Sequence, residues 1–442
     1  MTTSPRVGPL FTDLYELTMA AAYLEHQVAA DATFSLYIRA SEKRNYFAAA
    51  GLADALHELE ELRFSDSDIH YLKETGFFSK EFLSYLKQFR FSGTVYAMPE
   101  GTIFFPDEPL AEVTAPIIEA QIIETFLLNT IGFQTLVTSK AARCIHAAGG
   151  RPLIDFSLRR TQGQDAGLKV ARSSFIAGFS ATSNVLAGKI YGIPVSGTMA
   201  HSFISTFDDE SEAFAAFSDT FPENAVFLID TYDTLEGARN TVNIAKKLRE
   251  KGKSVIGVRL DSGDIAVLSQ KVREILDAAG LHEIKIFASS SFDEFKIADV
   301  LEKGGRIDAF GVGTKMGVSA DLPYLDIVYK LVRFKDREVR KLSPGKITLA
   351  GEKQVFRKTD RQGRYLSDTI GLRDDRVDDS LPLLEKVMQN GKLTLPPVAL
   401  TDIRDRFAKN FSLLDEKYKS IEACLVYPVQ LSARLEELQK RV

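Results

Sequence analysis

Six short apolar runs in the middle of the chain constrain its fold more than any other feature. They are PLIDFSLRR (152–160), GIPVSGTMAHS (192–202), AVFLIDTYDT (225–234), SVIGVRLDSGD (254–264), IKIFASSS (284–291) and IDAFGVGT (307–314). Each is a continuous Val/Ile/Leu/Phe core that ends in polar residues and glycine, without in–out alternation. Such a run suits a strand buried on both faces of a parallel sheet. The segments between them have helical periodicity. In DIAVLSQKVREILDAAG, Ile265, Leu268, Val272, Ile275, Leu276 and Ala279 share one face, and Gly280 stops the helix. Strands alternating with helices predict a βα series: a (β/α) barrel, complete or partly open, or a doubly wound sheet.

The flanks read differently. FSLYIRA (34–40) and GTVYAMPEGTIFF (93–105) are β-rich, with turn residues at Pro99–Gly101, and EAQIIETFLLNTI (119–131) has the pattern of an amphipathic helix. Past 325, β-type alternation returns in IVYKLVRF and EVRKLS, with turns expected at SPGK and RQGR. Both flanks together predict one β-rich accessory domain built from the two chain ends. The expected division is 1–130, a barrel over 131–325, and 326–442 with a helical tail from 402. A length of 442 residues accommodates a barrel of roughly 200–250 residues with additions.

Composition excludes several classes. With 55 basic and 60 acidic residues the net charge is −5, which leaves no electrostatic footprint for nucleic acid. Two cysteines, Cys144 and Cys424, supply neither a disulfide framework nor a Cys-based metal cluster. The opening MTTSPRVGPLFTDLYELTMAAAY has no apolar core behind a basic start, so no signal peptide is expected. No apolar run reaches the roughly 18 residues of a membrane span. A cytoplasmic protein is expected.

In a parallel βα barrel the active site forms where the strands end at their carboxyl face. The six runs end in Arg159 and Arg160; His201 and Ser202; Asp230 and Asp233; Arg259, Asp261 and Asp264; Ser289 to Ser291; and Gly311, Gly313 and Thr314. These are groups for binding phosphate and sugar and for nucleophilic or acid–base work. A histidine beside an apolar run can be a satisfied core residue. Here the next strand places Asp230 at the matching level, where a carboxylate could fix the tautomer and leave the other nitrogen free to attack. A metal site lacks a second histidine at ligand spacing. FGVGTKMG (310–317) is glycine-rich and follows ASSS on the preceding run, a pairing that suits a phosphate cradle as well as a plain tight turn. Arg259 can grip an anion with a fork of donors. Asp261 and Asp264 can accept from ribose hydroxyls or hold Mg²⁺, and Asp264 equally suits a cap of the helix starting at Ile265.

Seven stretches together resemble the nicotinate phosphoribosyltransferase family: FTDLYELTMAAAY, FSLRRTQGQDAG, TSNVLAG, GTMAHSF, DTYDT, RLDSGD and DAFGVGT. The resemblance runs in order from residue 11 to about 357, where KLSPGKITLAGEKQVFR also fits. It implies an irregular, partly open (β/α) barrel of the type II phosphoribosyltransferase kind beside a β-rich domain, and a homodimer with active sites at the subunit interface. It implies that nicotinate and 5-phosphoribosyl 1-diphosphate are joined to nicotinate mononucleotide and diphosphate, a step of NAD biosynthesis, with ATP hydrolysis coupled to it. Mg²⁺ would be carried by the diphosphate, with no direct protein site.

Carried over to this sequence, the resemblance makes His201 the histidine phosphorylated by ATP and Asp230 its orienting partner. Arg259 and Asp261 would join them at the reacting groups. Phe156 and Tyr15, the latter from the partner subunit, would sandwich the pyridine ring; Tyr15 also suits a helix anchor. Arg159 and Arg259 would face the base or the phosphates, with Ser202 and Asp264 close by, and Ser289, Ser290, Gly311, Gly313 and Thr314 would line the phosphoribosyl site. Arg39 and Lys341 are implied phosphate contacts, or solvated surface residues. Related nicotinamide enzymes carry an aspartate where TSNVLAG has Ser183. A hydroxyl there donates to the nicotinate carboxylate that an aspartate would repel, so the acid is the expected substrate and nicotinamide the alternative. The reading from another class is a non-catalytic phosphoribosyl-binding barrel.

Overall fold

The computed structural model describes residues 8–250, 252–343 and 348–442. The chain divides into two compact units. One is Lys140–Asp321, and the other joins the described residues before Lys140 to Leu322–Val442.

The first unit is built on six strands: β1 Leu153–Asp155, β2 Ala181–Thr182, β3 Val226–Leu228, β4 Gly257–Leu260, β5 Lys285–Ala288 and β6 Ala309–Val312. Their order is β2-β1-β6-β5-β4-β3 and every pairing is parallel. That is the circular order of a barrel cut open between β2 and β3. Residues of β1, β3 and β6 are all buried, as the unalternating apolar runs require. The register pairs Leu228 with Arg259, Leu260 with Ala288 and Val312 with Asp155, so the carboxyl ends lie level. Helices Gln164–Ile176, Thr234–Glu250, Ile265–Ala278 and Glu294–Glu302 intervene.

One predicted strand is corrected. Residues 192–202 form no strand; only Val195 makes an isolated parallel bridge, to Thr182. Pro194 lacks an N–H donor and the glycine at 197 weakens any strand, and the sheet position is taken by Ala181–Thr182, two residues too short to show as an apolar run. His201 therefore opens a one-turn helix, His201–Ile204, and does not end a strand. Arg159 and Arg160 likewise lie on a 3₁₀ turn, Leu158–Arg160, beyond β1.

The second unit interleaves strands from both chain ends in one antiparallel sheet. The order is Arg337–Glu338, Ile327–Phe334, Asp31–Ile38, Pro109–Pro116, Thr94–Ala97, Glu385–Gln389 and Lys392–Leu393. Its core includes Leu17, Phe34, Leu36, Ile118 and Leu127. The helix expected over 119–131 is two, Ile117–Ile122 and Glu124–Ala147. Of EVRKLS only Glu338 joins a strand. The RQGR turn links strands Lys353–Thr359 and Tyr365–Leu372, whereas the SPGK turn lies, past Ser343, outside the described residues. The tail is not helical throughout. Helices Leu400–Leu413 and Ala433–Arg441 flank a strand, Val429–Leu431, that pairs in parallel with Asp368–Ile370. That pairing depends on a distant partner and has no local signal. Among the described residues no helix is long and apolar enough to cross a membrane.

Candidate active site

Side chains that follow the level strand ends converge around Asp261. Its Oδ1 accepts from Ser289 Oγ at 2.5 Å, the residue after β5, and its Oδ2 stands 3.7 Å from His201 Nε2. The other ring nitrogen, Nδ1, is 3.1 Å from Thr231 Oγ1. Held on both sides, the His201 side chain still keeps 44% of its surface exposed.

Asp230 does not orient His201, contrary to the expectation. Its Oδ2 accepts from Asp261 N (2.8 Å) and Ser262 Oγ (2.6 Å), while Oδ1 is buried with no hydrogen-bond partner. The turn after β4 offers an N–H and an O–H together, and they capture the carboxylate. Asp230 thus fixes Asp261, and Asp261 faces the histidine.

Arg259, on β4, sends Nη1 to Thr198 Oγ1 and Nη2 to Met199 O at 3.0 Å, and its Nε is buried without a partner. Burial pushes its pKa down, with Asp261 and Asp230 pulling it back. A half-buried guanidinium that meets no carboxylate at hydrogen-bond distance, and whose Nε is buried without a partner, is suited to receive an anion. It forms one wall of a cavity of about 410 Å³, with Phe156, Phe287, Gly311, Ser196 and Thr198 among the others. That volume lies in the range of small-molecule sites.

Phe156 owes its position to its neighbours. Buried Asp155 accepts from Ser157 N (2.9 Å), Ser157 Oγ (2.5 Å) and Thr182 Oγ1 (2.8 Å), which fixes the turn after β1. Burial raises the Asp155 pKa, and these donors oppose the shift. Across the sheet, a Cβ at Gly311 would lie 2.5 Å from Phe156 ring carbons, and one at Gly313 2.9 Å from Phe156 O. Gly311 lets the ring lie against the strand, and Gly313 lets the Phe156 backbone carbonyl approach.

After β5 the backbone turns left-handed at two successive serines, Ser290 (φ 106°) and Ser291 (φ 54°). Lys296 Nζ donates to Ser290 O at 2.6 Å, and Lys315 pairs with Asp293 at 3.0 Å, so two ammonium groups flank this loop. Burial and Lys315 lower the Lys296 pKa. Among the described residues no group of three His, Cys, Asp or Glu is placed to hold a metal.

Known proteins match the chain along most of its length. Residues 10–132 match the nicotinate phosphoribosyltransferase N-terminal domain, 152–354 the nicotinate phosphoribosyltransferase family, and 379–439 its C-terminal domain. The chain belongs to the nicotinate phosphoribosyltransferase family. A nicotinate phosphoribosyltransferase of Mycobacterium tuberculosis is 46% identical over 98% of this chain and 94% of its own. One from Bacillus subtilis is 38% identical over 98% and 96%. The crystal structure of human nicotinic acid phosphoribosyltransferase superposes with a TM-score of 0.86 at 29% identity, covering 98% of this chain and 99% of that one.

The residues that the family resemblance singles out fall into three groups. Phe156, Arg259 and Gly311 wall the cavity, and His201, Asp261, Ser289 and Asp230 are linked beside it. Ser290 sits on the loop after β5, and Gly313 and Thr314 open the short helix Thr314–Gly317 after β6. The rest of the first unit's candidates stand apart. Ser183 donates its backbone N–H to Asp155 O, and its hydroxyl has no hydrogen-bond partner among the described residues. Arg159 and Ser202 are exposed, Arg159 near enough to Arg259 to help lower its pKa, and Asp264 caps its helix through Val267 N at 3.2 Å. In the second unit, Tyr15 is exposed on helix Leu14–Glu25 and Lys341 is exposed, whereas Arg39 is paired with Asp326 at 3.0 Å. Sequence reasoning missed Asp155, Thr231 and Lys296. Asp155 was detectable as a carboxylate inside an apolar run, and Thr231 as the hydroxyl within DTYD.

Proposed function

We propose that this chain joins nicotinate to 5-phosphoribosyl 1-diphosphate, giving nicotinate mononucleotide and diphosphate, and that ATP drives the reaction by phosphorylating His201. The observation that carries the reading is the exposed imidazole held between Thr231 and Asp261, two residues beyond Met199, which Arg259 binds at the cavity wall. Family membership supports the substrates.

With Nδ1–H donating to Thr231, the Nε2 lone pair attacks the terminal phosphorus of ATP. The N–P bond forms, the P–O bond to ADP breaks, and water later cleaves the phospho-imidazole to inorganic phosphate. At 3.7 Å, Asp261 is too far to occupy Nε2 with a hydrogen bond, yet close enough to stabilise a cationic ring. In the transfer, the pyridine ring lies on Phe156 and, from the partner subunit, Tyr15, an arrangement worth roughly 0.5–1.5 kcal/mol beyond area. Arg259 offers its unpartnered Nε to an anionic group of the substrates. Asp261 and Asp230 place negative charge where the ribosyl group becomes cationic as its bond to diphosphate breaks. The loop at Ser289 and Ser290 and the helix start at Gly313 and Thr314, with Lys296 and Lys315 alongside, suit the phosphoribosyl group.

Mg²⁺ takes a few carboxylates together with water and phosphate oxygens. The free Oδ1 of Asp230 and the carboxylate of Asp261 fit a Mg²⁺ ion arriving on the diphosphate, which would neutralise the leaving group. The exposed row Leu14, Tyr15 and Met19 supports a homodimer in which Tyr15 serves the neighbouring site.

The test is product analysis with nicotinate, 5-phosphoribosyl 1-diphosphate, Mg²⁺ and ATP, for wild type and His201→Ala. Nicotinate mononucleotide should form, and only the wild type should respond to ATP. Failure to form it overturns the activity, and an unchanged ATP response in the variant overturns the phosphohistidine.

A further inference from the structure

Tyr15 and Glu16 are neighbours on helix Leu14–Glu25 with opposite fates: Tyr15 is 46% exposed and Glu16 is 0% exposed. The Glu16 carboxyl meets the break between helices Ile117–Ile122 and Glu124–Ala147. Its Oε1 accepts from Thr125 N (2.8 Å) and lies 2.5 Å from Thr125 Oγ1, and its Oε2 lies 2.5 Å from Thr12 Oγ1. Each hydroxyl has a second acceptor as well. Thr12 Oγ1 also faces Ile122 O at 3.3 Å, and Thr125 Oγ1 also faces Asp13 Oδ2 at 2.9 Å.

Counting protons favours the acid by one contact. If Glu16 is ionised, each hydroxyl has one proton for two acceptors, so Ile122 O and Asp13 lose theirs. One proton on Oε2, donated to Thr12 Oγ1, frees the Thr12 proton for Ile122 O. The Thr125 hydroxyl then serves Asp13, while Thr125 N–H still serves Oε1. Of the four oxygen–oxygen contacts, the acid leaves one without a proton, Thr125 Oγ1 to Oε1, where the carboxylate leaves two.

The surroundings agree. Asp13 and Tyr15 on the same segment, Glu124 on the facing helix and the buried, unpartnered Tyr329 hydroxyl on strand Ile327–Phe334 are anionic or neutral. Lys330, on that strand, acts on Glu124. No cation pairs with Glu16 among the described residues. Burial, with Glu124 adding to it, pushes the Glu16 pKa up to about 7 against the pull of its hydrogen bonds.

We infer that Glu16 is a positioning residue, a neutral carboxylic acid that docks the Tyr15 helix onto the start of helix Glu124–Ala147 and loosens that dock when it ionises. The inference rests on the reading of Tyr15 as a wall of the nicotinate site. Because the folded value lies above the ordinary 4.5, stability from the acid form is complete below that value and is lost as pH rises through about 7.

The experiment compares full-length wild type, Glu16→Gln, Glu16→Ala and Tyr15→Ala by Tm and by kcat and KM for nicotinate, from about pH 6 to about pH 8.5. Glutamine keeps a neutral donor and acceptor. In wild type, KM should rise several-fold across the window with kcat little changed, and Tm should fall. In Glu16→Gln both should stay near the wild-type values at the acid end, while Glu16→Ala should show a raised KM throughout. Should the alanine variant fail to fold, the glutamine variant decides alone. The same pH dependence in Glu16→Gln as in wild type overturns the proposal. A pH-dependent Tm difference with a flat KM keeps the protonated dock and overturns instead the role of Tyr15, which an unchanged KM in Tyr15→Ala shows separately.

Discussion

His201 Nε2 lies 3.7 Å from Asp261 Oδ2, and Asp261 is in turn held by Asp230 through its backbone N–H at 2.8 Å. The two carboxylates therefore act in series. Asp261→Asn keeps the shape and removes the charge that a phosphorylated, cationic ring needs. It should abolish stimulation by ATP and lower kcat/KM in the presence of ATP about 100-fold, ~2.7 kcal/mol. Asp230→Asn still offers an oxygen to Asp261 N and should cost only about tenfold. Steady-state rates with and without ATP for the two variants check this order, and a larger loss in Asp230→Asn would contradict it.

Thr231 is the hydroxyl that engages Nδ1 of His201, at 3.1 Å. Thr231→Val preserves the volume and deletes that partner, so the ring loses its fixed tautomer. Acid-labile phosphate incorporated from ATP should drop about tenfold, in keeping with one lost hydrogen bond of about 1.5 kcal/mol. Thr231→Ser should restore it. Full labelling of the valine variant would show that the threonine does not set the reactive nitrogen.

Five of the six strands were legible because a parallel strand buried on both faces is one unbroken apolar run. The sixth run misled for a physical reason. Ile193, Val195 and Met199 are apolar because they pack or wall a cavity, and Pro194 and the glycine at 197 leave only the Val195 bridge to Thr182. The true neighbour of β1 is two residues long and carries no periodicity. At the site, residue types and strand ends pointed to His201, Arg259 and Asp261, but the choice between Asp230 and Asp261 as the group facing His201 depended on which turn captured which carboxylate. Ångström-scale placement of that kind is not encoded in spacing. The strand Val429–Leu431 escaped notice because it exists only through its pairing with Asp368–Ile370.

Gly311 faces the Phe156 ring, and a methyl there would lie 2.5 Å from two ring carbons. Gly311→Ala must push the ring toward the cavity or bend β6. The first outcome should raise KM for nicotinate about tenfold with a smaller effect on kcat. Overpacking should also destabilise by about 1–3 kcal/mol. Urea titration and initial rates read the two effects separately. Phe156→Ala with Gly311→Ala should recover part of the stability, because the clash needs both groups.

Ser183 follows β2, its backbone N–H bonded to Asp155 O at 2.8 Å and its hydroxyl without a hydrogen-bond partner among the described residues. It does not wall the cavity, so its influence must come from a side chain long enough to reach the substrate or from charge at short range. Ser183→Asp supplies both. The added carboxylate would repel the carboxylate of nicotinate and accept from the amide of nicotinamide, and like-charge juxtaposition with poor solvation costs several kcal/mol. The ratio of kcat/KM for nicotinate over nicotinamide should therefore fall at least about 100-fold, ~2.7 kcal/mol. Most of the change should come from the loss of the acid, since the amide gains only one hydrogen bond. Competition assays with both substrates in one vessel measure the ratio directly. An unchanged ratio would mean that the acid is selected elsewhere, with Arg259 as the next residue to vary.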